Sequence, residues 1–150
     1  MTGVTRADGF ATVCRLARDA KVIALDYGAA RTGVAVSDPT GVIARPLCVV
    51  QRAATANGLD ELVQLVHDEQ PEQVVVGHPL TLRGERGEQA RATENFAAAL
   101  RERLDVPVLL FDERFTTDLA EQNPSSAPED ARAAAHLLSS YLAWSSAAPA

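Results

Sequence analysis

Acidic residues stand directly behind two apolar segments of this sequence. Asp26 follows the run VIAL at 22–25, and Asp112 and Glu113 follow the run LLF at 109–111. Short apolar runs of this kind are typical of buried strands. In open α/β sheets, ligands bind beyond the carboxyl ends of the strands. If the two strands are parallel neighbours, the three acids therefore share one edge of a sheet.

A fourth acid, Asp130, stands near the start of the last predicted helix. Ala134, Leu137, Leu138 and Tyr141 follow it at core-facing spacing, so its carboxylate is expected at the edge of the buried face, toward the sheet. Carboxylates held together repel one another, and a hard divalent cation such as Mg²⁺ or Mn²⁺ offsets that repulsion because it prefers oxygen ligands. The pattern predicts metal-assisted phosphoryl chemistry, in which metal ions activate water and stabilise the leaving oxygen.

Each acid also has a simpler explanation. Asp26 precedes Tyr27 and Gly28, and Asp is a common turn former. Asp130 is compatible with a first-turn acid that the helix dipole stabilises. The charged segment 112–114 is compatible with a surface cluster, but three charged residues directly behind a buried strand favour a site.

The elements that must position these acids follow the order βββαβαβα. Three consecutive strands with short links predict an antiparallel meander, and the later alternation of helix and strand predicts two strands added by crossovers. The fold class is therefore α/β, with a mixed five-stranded sheet flanked by helices. The predicted strands cover 22–25, 32–37, 42–50, 73–77 and 106–111, and the predicted helices cover 59–66, 90–104 and 129–144.

Length and composition predict one domain, at 21–144, with a short helix or loosely attached arm at 1–20 and a flexible tail at 145–150. The net charge of −6 argues against a generic basic coat protein, so any nucleic-acid contact must be local. Two cysteines without a CxxC motif fit a reducing compartment. The first twenty residues hold no apolar run long enough for a signal peptide or a membrane span, so a cytoplasmic protein without a membrane partner is expected.

Five ordered segments carry a specific family resemblance. The first segment comprises residues 25–28, Arg31 and 33–38, and the second comprises 44–47. The third comprises 76–80 and Gly84, the fourth comprises 111–117, and the fifth comprises Asp130, 133–134 and 137–142. Over about residues 22–142 the chain resembles the YqgF family, also called RuvX, the Holliday-junction-resolvase-like proteins assigned to pre-16S ribosomal RNA cleavage. The resemblance implies a ribonuclease H-like fold, a hydrolase that trims the small-subunit ribosomal RNA precursor in ribosome biogenesis, and junction resolution as an older conjecture.

The resemblance also implies roles for individual residues. Asp26, Glu113 and Asp130 carry over as catalytic metal ligands, with Asp112 as a fourth ligand. Phosphate contacts fall to Arg31, Arg114, Thr116 and Thr117. A loop with Arg83, Arg86 and Arg91 would track the nucleic-acid backbone, although Glu85 and Glu88 interleave and a plain solvated surface explains the loop nearly as well.

Two departures from the family pattern weaken the expected grip on a polyanion. Ala30 precedes Arg31 where the family usually has Lys-Arg, and the segment between Arg114 and Asp130 is short and lacks basic residues. The expected partners are nucleic acid, with pre-rRNA preferred over branched DNA, and ribosomal precursor particles. Whether the protein is a monomer or a homodimer stays open.

Three other functions stay open at this point. A DNA-junction resolvase should act as a symmetric dimer because it nicks two strands related by a two-fold axis. A non-catalytic RNA-binding ribosome-assembly factor would explain the missing basic residues. An actin-like ATPase would need two such domains, or a homodimer, to enclose its nucleotide.

Overall fold

The computed structural model describes residues 21–81, 83–115 and 128–147. Their elements follow the predicted order βββαβαβα. Strands and helices are β1 (Val22–Asp26), β2 (Arg31–Ser37), β3 (Ala44–Gln51), α1 (Ala56–Glu69), β4 (Gln73–His78), α2 (Glu88–Arg103), β5 (Val108–Asp112), a 3₁₀ helix (Glu113–Phe115) and α3 (Glu129–Ala147). None of the helices in these ranges has the length and the hydrophobicity that a membrane span requires.

The five strands form one mixed sheet in the order β3-β2-β1-β4-β5. β1, β2 and β3 pair antiparallel, whereas β1 pairs parallel with β4 and β4 pairs parallel with β5. The predicted meander with two strands added by crossovers is confirmed.

Alternation along β1 divides the core into two layers. Ile23 and Leu25 pack with α1 and α2 on one face, and Val22 and Ala24 pack with α3 on the other. Successive side chains of a strand point to opposite faces. Asp26, two residues beyond Ala24, therefore lies on the α3 face of the sheet.

Some boundaries differ from those that the sequence predicts. β3 begins at Ala44 rather than at 42, because the backbone N–H groups of Val42 and Ile43 donate to the Asp38 carboxylate at 2.9 and 3.0 Å. These local bonds form a turn in place of two further ladder positions. α3 continues to Ala147, three residues beyond the predicted end. The predicted arm at 1–20 lies outside the described residues.

The assumption that the two strands that precede the acids are neighbours is wrong. β1 and β5 run in the same direction, but they are not neighbours, because β4 lies between them. The sequence gives the number of crossovers and not the position at which each crossover inserts its strand. Acids that follow β1 and β5 can therefore meet only across β4, and only if the intervening residue of β4 is small.

A second close approach occurs on the other side of β1. Asp26 pairs with Gly33 in the ladder between β1 and β2. A Cβ atom added to Gly33 would lie 1.8 Å from the backbone carbonyl oxygen of Asp130. The first turn of α3 therefore rests directly on the backbone of β2, and a side chain at position 33 would push the helix away.

We expect Gly33→Ala to lower the free energy of unfolding by about 2 to 3 kcal/mol, because a backbone group must move to admit the methyl. Urea denaturation of both proteins measures the difference. Gly87→Ala is the matched control, since a Cβ at Gly87 meets no atom within 4 Å. Gly87 is the N-cap residue of α2, where the change should cost less than about 1 kcal/mol. Equal losses in the two variants would contradict the packing argument.

Candidate active site

Three of the predicted acids converge on the α3 face of the sheet. Asp26 is the last residue of β1, Glu113 is the first residue after β5, and Asp130 lies in the first turn of α3. Glu113 reaches across β4 because Gly77 has no side chain: a Cβ atom there would lie 2.6 Å from Oε2 of Glu113. The ladder pairs Leu25 with Val76, so Gly77 comes level with Asp26.

Sequence reasoning did not identify the roles of Gly33 and Gly77. Both belong to segments that carry the family resemblance, but neither was given a function there. A lone glycine inside an apolar strand often marks a close approach of another group. That signal was present in TGVAVS at 32–37 and in VVVGH at 74–78.

Asp26 and Glu113 form a carboxylate pair that no cation of the described residues binds directly. Burial and the charge of Asp130 raise the pKa of Asp26. Burial and the charge of Asp26 raise the pKa of Glu113, with a smaller opposing effect of His78. Neither carboxylate has a hydrogen-bond or ion-pair partner within the described part of the chain. The fold thus holds two half-buried acids side by side at an energetic cost.

Asp130 forms an ion pair with Arg31. Its Oδ2 atom lies 2.8 Å from Nε of Arg31, and the two side chains are 38% and 61% exposed. An open groove of about 410 Å³ runs beside this pair. The groove is lined by Arg31, Val49, Gln51, Pro128, Glu129 and Asp130.

Asp112, the predicted fourth ligand, is directed differently from Glu113. It pairs with His78 in the ladder between β4 and β5, one position beyond Phe111, which packs on the α3 side. Its carboxylate accepts hydrogen bonds from the Arg114 guanidinium: Nε lies 3.0 Å from Oδ1 and 2.9 Å from Oδ2, and Nη2 lies 2.6 Å from Oδ2. Arg114 thereby lowers the pKa of Asp112. Its role as a metal ligand stays a prediction, and it requires the carboxylate to leave Arg114.

The three arginines predicted to follow the nucleic-acid backbone fall into two groups, and Arg91 lies in α2 rather than in the loop. Arg86 binds Glu94 of α2 through Nη2 and Nε, at 2.6 and 2.9 Å, and His78 lies 2.7 Å from the same carboxylate. Arg86, and to a smaller extent His78, lower the pKa of Glu94 to about 2. Arg83 and Arg91 are exposed, and no ion pair is recorded for them in the described ranges. Thr116 and Thr117, predicted to bind phosphate, lie outside the described residues.

The described residues contain no cluster of three His, Cys, Asp or Glu side chains already arranged around a cation. Asp26 and Glu113 supply two oxygen ligands, and the third carboxylate of the set is paired with Arg31. Oxygen ligands without cationic partners match the preference of Mg²⁺ and Mn²⁺. The donor set fits a hard divalent cation, with Asp130 as the ligand that must change partner.

The raised pKa of Asp26 predicts that this residue destabilises the metal-free protein at neutral pH. The folded state retains the proton to higher pH than the unfolded state, so wild-type stability falls as pH rises from below 3.8 through the raised value. We expect Asp26→Asn to be more stable than the wild type at pH 7 in EDTA. The difference should shrink as pH falls toward 3.8. Thermal unfolding across this range measures it, and an Asp26→Asn variant that is less stable at pH 7 would contradict the argument.

A family model described as "RuvX: Holliday junction resolvase" matches residues 20–144. A Syntrophomonas wolfei protein named "Putative pre-16S rRNA nuclease" is 36% identical over 131 residues, covering 81% of this chain and 93% of that protein. A Chloroflexus aurantiacus protein of the same name is 44% identical over 104 residues, covering 69% of this chain and 68% of that protein.

Solved structures with the same architecture include Thermus thermophilus RuvC in complex with a Holliday junction substrate. The TM-score is 0.60 at 16% sequence identity, and the match covers 84% of this chain and 94% of RuvC. At this identity the likeness concerns the fold alone, and it confirms the ribonuclease H-like fold. The family match and the relatives together show that this chain belongs to the RuvX family.

Proposed function

We propose that this chain is a metal-dependent nuclease that hydrolyses phosphodiester bonds of RNA, with the 5′ end of pre-16S ribosomal RNA as its target. The observation that carries the proposal is a pair of half-buried carboxylates, Asp26 and Glu113, for which the described residues supply no hydrogen-bond or ion-pair partner. A fold that holds two like charges together without a counter-charge is expected to use them to bind a cation. The names of the relatives supply the substrate class.

In this proposal Asp26 and Glu113 hold a divalent cation, Mg²⁺ or Mn²⁺, and Asp130 completes the ligand set and orients water. Such a cation, when bound, makes water a better nucleophile and stabilises charge on the leaving oxygen. Gly77 supports the arrangement by leaving space for Glu113 between the strands. Asp112 would join the ligands only by exchanging Arg114 for the metal.

The arginines differ in how readily they could bind a phosphate, because some are already paired with a carboxylate. Arg31 borders the open groove beside Asp130, where it can meet a phosphate. Arg83 and Arg91 are exposed and are available to follow the nucleic-acid backbone. Arg86 and Arg114 are held by carboxylates, so they would reach a phosphate only by giving up Glu94 and Asp112. With a net charge of −6, the protein depends on these few local contacts for its hold on RNA.

The proposed substrate belongs to ribosomal precursor particles, and the proposed site of action is the cytoplasm. Cutting of a four-way DNA junction is the alternative that the family description suggests. RNA binding without cutting would instead fit an assembly factor. The competing functions differ in substrate and in metal dependence, so one assay separates them.

We expect purified protein to cut precursor ribosomal RNA in Mg²⁺ or Mn²⁺ and not in EDTA. Loss of a residue that only supports a metal ligand lowers activity by up to about 100-fold. Asp26→Asn removes a direct ligand, so it should lower the rate of cutting by more than about 100-fold. Single-stranded RNA and a four-way DNA junction are the comparison substrates in the same gel assay.

Asp105→Asn is the matched control for this assay. Asp105 is an exposed acid that precedes β5, at the opposite end of that strand from Glu113, and its loss should leave the rate unchanged. Cutting by Asp26→Asn at the wild-type rate would overturn the assignment of the site. Cutting of the junction alone would replace RNA with DNA, and RNA binding without cutting in either metal would favour the assembly factor.

A further inference from the structure

We propose that Arg31 couples the binding of metal to the binding of substrate. In this inference, which rests on the proposed function, Arg31 holds Asp130 until a phosphodiester takes the guanidinium, and Asp130 is then free to join Asp26 and Glu113. Arg31 is a positioning residue for the metal site as well as a phosphate contact.

Arg31 and an incoming cation compete for Asp130. Asp130 lies in the first turn of α3, which rests on Gly33, the ladder partner of Asp26, and the charge of its carboxylate raises the pKa of Asp26. The same carboxylate is bound to Arg31 at 2.8 Å. Residues 21–81, 83–115 and 128–147 contain no ready-made cluster of three ligands. A cation entering beside Asp26 must therefore compete with Arg31 for its third carboxylate.

The open groove lies beside the Arg31–Asp130 pair. Both residues of the pair line it, together with Val49 and Gln51 of β3. Among the described residues that line the groove, Arg31 is the only cationic one, and Gln51 is its ladder partner. A phosphate that enters this groove meets one guanidinium, and that guanidinium is the one bound to Asp130.

The Arg31–Asp130 pair is weak enough for a phosphate to replace the carboxylate. Both side chains are substantially exposed, and an exposed ion pair changes an equilibrium by at most about fivefold. Arginine binds phosphate bidentately and more strongly than it binds an exposed carboxylate through one nitrogen. A phosphodiester can therefore displace Asp130. Coupling between two binding sites is reciprocal: if bound phosphate raises the affinity for metal, bound metal raises the affinity for phosphate by the same factor.

The test measures binding rather than cutting, using Arg31→Gln in the full chain. We expect Arg31→Gln to bind Mn²⁺ more tightly than the wild type in the absence of RNA, by up to about fivefold in calorimetric titration. The same variant should bind single-stranded RNA more weakly than the wild type in EDTA, where no metal is available. A residue with a merely structural role would not change the two affinities in opposite directions.

Two controls separate the coupling from general electrostatics. Arg52, directly after β3, is exposed and has no ion pair recorded in the described chain, so Arg52→Gln removes a nearby charge without freeing Asp130. Its Mn²⁺ affinity should equal that of the wild type. In an Asp130→Asn background, Arg31→Gln should no longer change the Mn²⁺ affinity, because the residue through which it acts is already neutral.

The outcomes also separate this inference from the proposed function. If Arg31→Gln binds Mn²⁺ no more tightly than the wild type, or if Arg52→Gln gains as much, the coupling is wrong. Persistence of the Arg31→Gln effect in the Asp130→Asn background would also overturn it. In each of these cases, the proposed metal site is still supported if the wild type binds Mn²⁺ and the Asp26→Asn variant does not. If the wild type binds no Mn²⁺, both proposals fail.

Discussion

The site depends on the absence of side chains at two positions that flank one aspartate. Gly33 and Gly77 lie on the strands on either side of β1, level with Asp26 and on the same face of the sheet. The first allows the N-terminal turn of α3 to rest on β2, which brings Asp130 close. The second allows Glu113 to cross β4. Without this space, neighbouring side chains would keep the three acids apart.

Charge is distributed unevenly around this constraint. Asp130 and Asp112 each have an arginine partner, whereas Asp26 and Glu113 have no such partner among the residues that the structure describes. Their raised pKa values express the cost of holding the pair in a half-buried place. Proteins commonly accept local destabilisation of this kind where a site requires it. Packing of the buried strands, and of α3 on β1 and β2, stabilises the fold enough to offset this local cost.

Much of this arrangement could be predicted from local sequence pattern, because the elements depend on hydrophobic period and on turn residues. The run at 22–25 predicted β1 and the position of Asp26, and the spacing of Leu137, Leu138 and Tyr141 predicted the buried face of α3. The neighbours of β1 could not be predicted, since strand order depends on contacts between distant segments. Because successive side chains of a strand point to opposite faces, the sequence already indicated that the side chains of Asp112 and Glu113 lie on different faces of the sheet. The pairing of Asp112 with Arg114 and of Asp130 with Arg31 required coordinates.

The most direct test of the account is the position of bound Mn²⁺ in crystals of the wild-type protein, determined from anomalous diffraction. We expect an anomalous peak bonded to carboxylate oxygens of both Asp26 and Glu113. Mn²⁺ bound elsewhere, with no peak between these two side chains at a concentration that supports cutting, would contradict it.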